Sequence, residues 1–128
     1  FIDLESLPKL PDPMDTRVPI EQRAKSYLHA NCAHCHRPGG WTSPNLRFDL
    51  RYTTAFNKMG ICNEPSRSVT AYAYPVLFVP GDPEQSALLA RIDPESDIDR
   101  MPPLGVSVTD PLAVELVREW ISTTQSCP

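Results

Sequence analysis

The run Cys32-Ala33-His34-Cys35-His36 decides how this 128-residue chain is read. On a helical turn, positions i, i+3 and i+4 share one face, so two thiols and one imidazole point the same way. Cys-x-x-Cys-His is the minimal peptide that fixes a c-type haem: the thiols add to the two vinyl groups while the imidazole reaches the iron. Two other uses of a Cys-x-x-Cys pair compete with that one. A thioredoxin-type redox pair opens a helix after a βαβ pattern, whereas here the motif follows a helical segment and no alternating strands surround it. A closed zinc site needs four ligands, and the remaining cysteines, Cys62 and Cys127, belong to no second Cys-x-x-Cys or His-x-x-x-His pair. The spacing favours haem.

Working outward, Pro19 stands at the first helical position and Ile20, Ala24, Tyr27 and Leu28 form one stripe, with Glu21, Arg23 and Lys25 largely off it. This predicts a first helix that delivers Cys32, stopped by Pro38, Gly39 and Gly40. Residues 1–18, with Pro8, Pro11 and Pro13, read as a Pro-rich arm or interdomain linker whose Ile2, Leu4, Leu7 and Leu10 can lie against the domain of residues 19–128. In the middle, Leu46, Phe48 and Leu50 alternate like a short strand or extended segment. Thr53 to Met59 suggests a helical turn, and Val76 to Val79 an apolar run for the core or the cofactor. Asp82, Pro83 and Gln85 spell a capping box before Leu88, Leu89 and Ile92. A loop over 93–109 holds Met101, Pro102, Pro103, Leu104 and Gly105. Asp110 and Pro111 then begin a last helix with Leu112, Leu116, Val117, Trp120 and Ile121 as its buried stripe. Trp120 reads as core rather than as an electron conduit.

An iron held by His36 has a second axial position to fill. Met14, Met59 and Met101 offer thioethers, and His29 and His34 offer imidazoles. Met101 is favoured because Pro102 biases it toward an extended conformation, which lets a loop hold sulfur over a metal. Gap-filling in the core is the competing use of a methionine, with Met59 next in line as ligand. His29 and His34 read as surface or capping histidines. The His36 ring is expected to donate its other N–H to a backbone carbonyl, Pro38 and Pro44 shaping that loop. Trp41, Arg47, Arg51 and Tyr52 are candidate donors to haem propionates, with ordinary surface or core roles equally open.

Size and composition narrow the class. A chain of this length suits one domain with a single core, and 15 prolines predict short helices and a loop-rich middle. A net charge of -4 without a basic run gives no nucleic-acid footprint. No apolar stretch reaches membrane-span length and no signal peptide is visible. A first residue of Phe1 suggests a mature secreted chain or a domain of a longer polypeptide. Cys62 and Cys127 fit an oxidising compartment. Paired, they close a loop of about 65 residues, for about 4 kcal/mol; two free or buried thiols are the alternative.

Helix, Cys-x-x-Cys-His, loop methionine and aromatic-bearing last helix follow in the order of class I c-type cytochromes, which the chain resembles from about Pro19 to Thr124. More narrowly, "YLHANCAHCHRPGG", "VPGDPEQSALLARI", "RMPPLG" and "VREWI" are similar to cytochrome c-like domains of bacterial periplasmic proteins, including planctomycete-type chains that fuse them to other domains. The resemblance implies a mainly α, small helical domain wrapped around one covalently bound haem c. It implies Cys32 and Cys35 in thioether links, His36 as proximal and Met101 as distal ligand. Its implied role is single-electron transfer in the periplasm between partners such as a dehydrogenase and another cytochrome, with no catalytic residue. A haem enzyme or a gas or peroxide sensor with a displaceable distal ligand is the alternative, and an interaction module stapled by haem is a third reading.

Overall fold

Pro19, with its fixed φ and no N–H to satisfy, is the residue on which the first helix opens. In the computed structural model it caps α1 (Ile20–Asn31), which is followed by α2 (Ala87–Ile92) and α3 (Pro111–Thr123). Residues 1–67, 69–93, 95, 100–103 and 108–128 are described, Val69 and Thr70 by backbone alone. Leu104 and Gly105 of the Met101 loop lie outside them. Among the described residues there are isolated β-bridges but no strand, so the regular structure is helical and the middle is loop. No helix there is long and apolar enough to cross a membrane.

α1 packs against α3, and α2 packs against α3 beside them. Ala24 and Leu28 on α1 are fully buried, as the stripe predicts. Arg23 and Lys25, expected off the stripe, are buried as well. For Arg23 the reason is the Pro-rich arm. Its backbone carbonyls accept from α1: Ser26 Oγ donates to that of Pro11 at 2.6 Å, and Arg23 donates to those of Pro13 at 3.3 Å and Val18 at 3.1 Å. On another side the Lys25 ammonium lies 5.7 Å from the Tyr52 ring centroid. Long stems are thereby covered while their charged ends keep partners. Ile2, Leu4, Leu7 and Leu10, in contrast, remain exposed.

α3 begins as its sequence dictates, with the Asp110 carboxylate accepting from the N–H groups of Leu112 and Ala113, both at 3.1 Å, and Pro111 in the first turn. Its stripe needs one correction. Leu112 is exposed, while Ala113 and Val114 join Leu116, Val117, Trp120 and Ile121 inside. Five residues before the fully buried Val117, Leu112 lies about 140° round the helix from it.

The capping box expected at Asp82 does not form. Pro83–Gln85 is a separate 3-10 turn, Asp82 makes no side-chain cap, and α2 starts only after Ser86. Ser86, wholly buried, binds the turn instead: its Oγ donates to the Asp82 carbonyl at 2.8 Å and accepts the Val79 N–H at 2.9 Å. The apolar run at 76–79 is extended and divides its side chains as extended chain must. Phe78 goes into the core and Leu77 to the opposite side, with Leu77 N–H donating to Glu64 and Asn63 N–H to Phe78. Phe56, in the 3-10 turn Phe56–Lys58, completes an aromatic cluster with Phe78 and Trp120, centroids 4.8 to 5.1 Å apart.

Cys62 and Cys127 are joined by a disulfide across 65 residues, with Cα atoms 5.7 Å apart. It ties the tail beyond α3 to the middle loop.

Candidate functional site

α1 ends at Asn31, earlier than the Pro38-Gly39-Gly40 stop, but the chain keeps turning. The Cys32 carbonyl accepts from Cys35 N–H at 3.1 Å and His36 N–H at 2.9 Å, while Cys32 N–H still donates to Leu28. That one irregular turn preserves the i, i+3, i+4 relation. Cys32, Cys35 and His36 all line a single cavity of 340 Å³, within the roughly 300–1,000 Å³ range of small-molecule and cofactor sites. Ala33, on the opposite side of the turn, is buried in the core. The glycines have a different duty from ending α1. Gly39 adopts a positive φ of 72°, and Gly40 approaches so closely that a Cβ there would stand 2.1 Å from the Cys35 carbonyl oxygen. Only glycine lets this loop fold back on the motif.

The other walls come from distant segments. Leu46, Phe48 and Leu50 line the cavity from the extended segment, which is anchored by Leu50 N–H donating to the His36 carbonyl at 2.9 Å. Leu77, Leu88 and Ile92 add apolar surface, and Met101, Pro102 and Pro103 line the same space. Met101 is held by its N–H, which donates to the Arg91 carbonyl in the last turn of α2 at 2.8 Å. The two thiols, the imidazole and the favoured thioether therefore share one enclosure.

The remaining candidates separate from it. Met59 is fully buried in the core and Met14 is exposed on the arm; neither lines the cavity. His29 accepts the Tyr52 N–H at its Nδ1, 2.9 Å away, and so caps backbone. His34, expected to point away, is exposed but stands on the cavity rim. Of the four candidate propionate donors only Trp41 reaches the cavity, at its rim and 96% exposed. Arg47 donates to the Pro44 carbonyl, Arg51 is paired with Asp49, and Tyr52 lies under Lys25. Two wall residues escaped the sequence reading, Phe48 as a ring partner and Arg91 as a cation. Arg91 was detectable, since it follows Ala87 by four and Leu88 by three and so shares their face.

His36 is not hydrogen-bonded as expected. Its ring stacks on Phe48 at a centroid distance of 4.5 Å and an interplanar angle of 12°, while Nδ1 is buried with no partner. The Pro44 carbonyl is engaged by Arg47 instead. Burial holds the His36 pKa below its ordinary value, and the charges of His34 and Arg91 act in the same direction. A neutral imidazole is the form that offers a lone pair to a metal. Burial also pushes the Cys32 thiol up to about 12, with Cys35 adding to the effect. A reactive dithiol needs the opposite shift. Two free thiols, a neutral imidazole and a thioether in an apolar enclosure fit a covalently held haem.

The zinc reading loses its ligands, because Cys62 and Cys127 are consumed in a disulfide. Among the described residues no group of three or more His, Cys, Asp or Glu side chains converges to hold a metal ion.

Asp49 orders the segment that carries Phe48 and Leu50. Its carboxylate accepts from Arg51 N, Nε and Nη2 and from Thr54 Oγ1, and the Arg51 guanidinium holds its pKa down to about 2, below the ordinary 3.8. A depressed carboxylate stabilises the fold above its unfolded pKa and loses that contribution as pH falls through the folded one. Asp49→Asn is expected to cost about 1–2 kcal/mol at neutral pH, the half-exposed arginine limiting the figure. It also flattens the fall in stability from about pH 4 to about pH 2, as urea melts across that range would record.

No protein-family model, curated protein or solved structure matches this chain.

Proposed function

We propose that this chain is a monohaem c-type cytochrome domain passing single electrons between periplasmic redox partners. The observation that carries the reading is the convergence of Cys32, Cys35, His36 and Met101 on one largely apolar cavity. Haem, when bound, supplies an iron that takes up and gives back one electron at a time. Cys32 and Cys35 would hold it by thioether links, each S–H adding across a vinyl group so that no oxidant is consumed. His36 would ligate the iron through its neutral imidazole and Met101 through its sulfur. Phe48 keeps the His36 ring in place by stacking, and the Arg91 carbonyl keeps the Met101 segment in place by its hydrogen bond. Met/His ligation raises the reduction potential and leaves no coordination site open, which suits electron transfer rather than binding of peroxide or a gas. The Cys62–Cys127 disulfide supports an oxidising compartment. A dehydrogenase or another cytochrome is the partner class that this role requires.

The test is the ferric spectrum of the haem-loaded chain with and without Met101→Ala. Loss of the near-infrared sulfur-to-iron charge-transfer band, and conversion to an iron that binds added cyanide, are expected in the variant. A band that survives the substitution removes Met101 from the iron. Ready cyanide or carbon monoxide binding by the unsubstituted protein would favour the enzyme or sensor reading.

A further inference from the structure

α2 is a wall with two sides. Ala87, Leu88 and Ile92 line the cavity, while Leu89, Ala90 and the C-cap residue Asp93 turn the other way and line a small polar pocket with Arg118 of α3 and Glu84. A helix of six residues is too short to hold its own geometry. The carbonyl of Arg91, in its last turn, is among the helix-end carbonyls that have no intrahelical donor. That carbonyl is the one that accepts the Met101 N–H, at 2.8 Å. The chain thus leaves α2 at Asp93 and is tied back to the same turn at Met101, so whatever fixes the end of α2 also fixes the segment that bears the thioether.

α3 supplies that fixing. Arg118 donates from Nη2 to the Asp93 carboxylate at 3.2 Å, and the same carboxylate accepts the Glu95 N–H at 2.9 Å. Arg118 also pairs with Glu84 of the 3-10 turn Pro83–Gln85, and its Nε lies 3.7 Å from Glu115. The three carboxylates are not equivalent. The side chains of Glu84 and Glu115 are 67% and 75% exposed, so water screens them, whereas that of Asp93 is 19% exposed. The least screened of the three pairs therefore stands two residues from the carbonyl that holds Met101.

We propose that Arg118 is a positioning residue for Met101. By clamping Asp93 it holds the end of α2 in the arrangement that presents the Arg91 carbonyl to the Met101 N–H and, resting on the haem reading above, keeps the Met101 sulfur on the iron. Arg118 does not line the cavity and acts only through this chain of bonds.

Amide hydrogen exchange and the ferric spectrum of the full chain, produced in a host that attaches haem to Cys-x-x-Cys-His, test the two parts separately. Arg118→Gln and Asp93→Asn are each expected to speed exchange of the Met101 N–H about 10-fold, the scale of a charge-assisted hydrogen bond, while the Cys32 N–H at the end of α1 keeps its rate. The double variant should exchange no faster than either single one, because both remove the same pair. Arg118→Lys should restore part of the protection, and Glu84→Gln should leave it within about twofold of the parent. Added imidazole should displace the methionine, read as loss of the near-infrared sulfur-to-iron band, at about 10-fold lower concentration in Arg118→Gln than in the parent. Unchanged Met101 exchange in the variants, or Met101 and Cys32 amides that speed up together, overturns the clamp and leaves the haem reading standing. Faster Met101 exchange with an unchanged imidazole requirement overturns the role of Arg118 at the iron. Should Arg118→Gln fail to fold, Asp93→Asn supplies both readouts. A parent with no attached haem, or with haem but no sulfur band, overturns Met101 as ligand and with it that role, while the exchange rates still decide the clamp.

Discussion

Trp120→Ala is expected to cost about 3–5 kcal/mol, a large share of the stability of a domain this size. Trp120 is 1% exposed, and its ring centroid lies 5.1 Å from that of Phe56 and 4.8 Å from that of Phe78. Three elements meet there: α3, the 3-10 turn Phe56–Lys58 and the extended run that presents Leu77 to the cavity. Truncation removes aromatic packing and leaves a void that neighbours on three segments cannot close together. Trp120→Phe should cost much less, about 1–2 kcal/mol. The indole N–H is buried without an acceptor, so deleting it relieves a desolvation penalty that partly offsets the lost volume. Urea titrations of the two variants decide the matter. Equal losses would show that ring size is not what Trp120 contributes.

Opening the Cys62–Cys127 disulfide is the second large effect, with an expected loss of about 4 kcal/mol for a 65-residue loop. Its consequences reach the cavity. Cys62 pairs its backbone with Phe78 in an isolated bridge, and the preceding Ile61 lines the cavity. With the crosslink gone, the middle loop keeps its core contacts through Phe56, Met59 and Ile61, but around Cys62 it is held by backbone hydrogen bonds such as Asn63 N–H to Phe78 and Leu77 N–H to Glu64. The double substitution Cys62→Ser and Cys127→Ser should therefore lower the denaturation midpoint, and a reductant should lower the parent's midpoint without moving that of the variant. An unchanged parent midpoint in reductant would contradict the assignment.

Helix positions were legible to the degree that their signals were local. Asp110 and Pro111 open α3 because a carboxylate two and three residues ahead of free N–H groups acts within one turn. The capping box at Asp82 was equally local and still misled. The buried Ser86 hydroxyl offered the Val79 and Asp82 backbone a better arrangement, and its inward position depends on segments far away in sequence. Arg23 misled for a similar reason: a helix stripe shows which residues can be covered by one neighbour, not that a proline-rich arm will cover the other side.

At the candidate site the same division holds. The Cys32–His36 spacing alone puts two thiols and an imidazole on one turn, because a single backbone carbonyl, that of Cys32, can receive both closing N–H groups. Cys-x-x-Cys-His therefore needs nothing beyond itself to suggest haem. Which methionine faces that turn, which ring supports His36, and which arginine shares the cavity are matters of tertiary packing. Met59 and Met101 look alike as thioethers, yet one is sealed in the core and the other is tied to the end of α2. Arg47, Arg51 and Arg91 are likewise the same side chain. The first two are held outside by a nearby carbonyl and carboxylate, and the third is carried to the cavity wall on a helix face. Residue type and short spacing set the chemistry available along the chain. Only the long-range contacts of the fold, paid for in chain entropy, chose which of those groups meet.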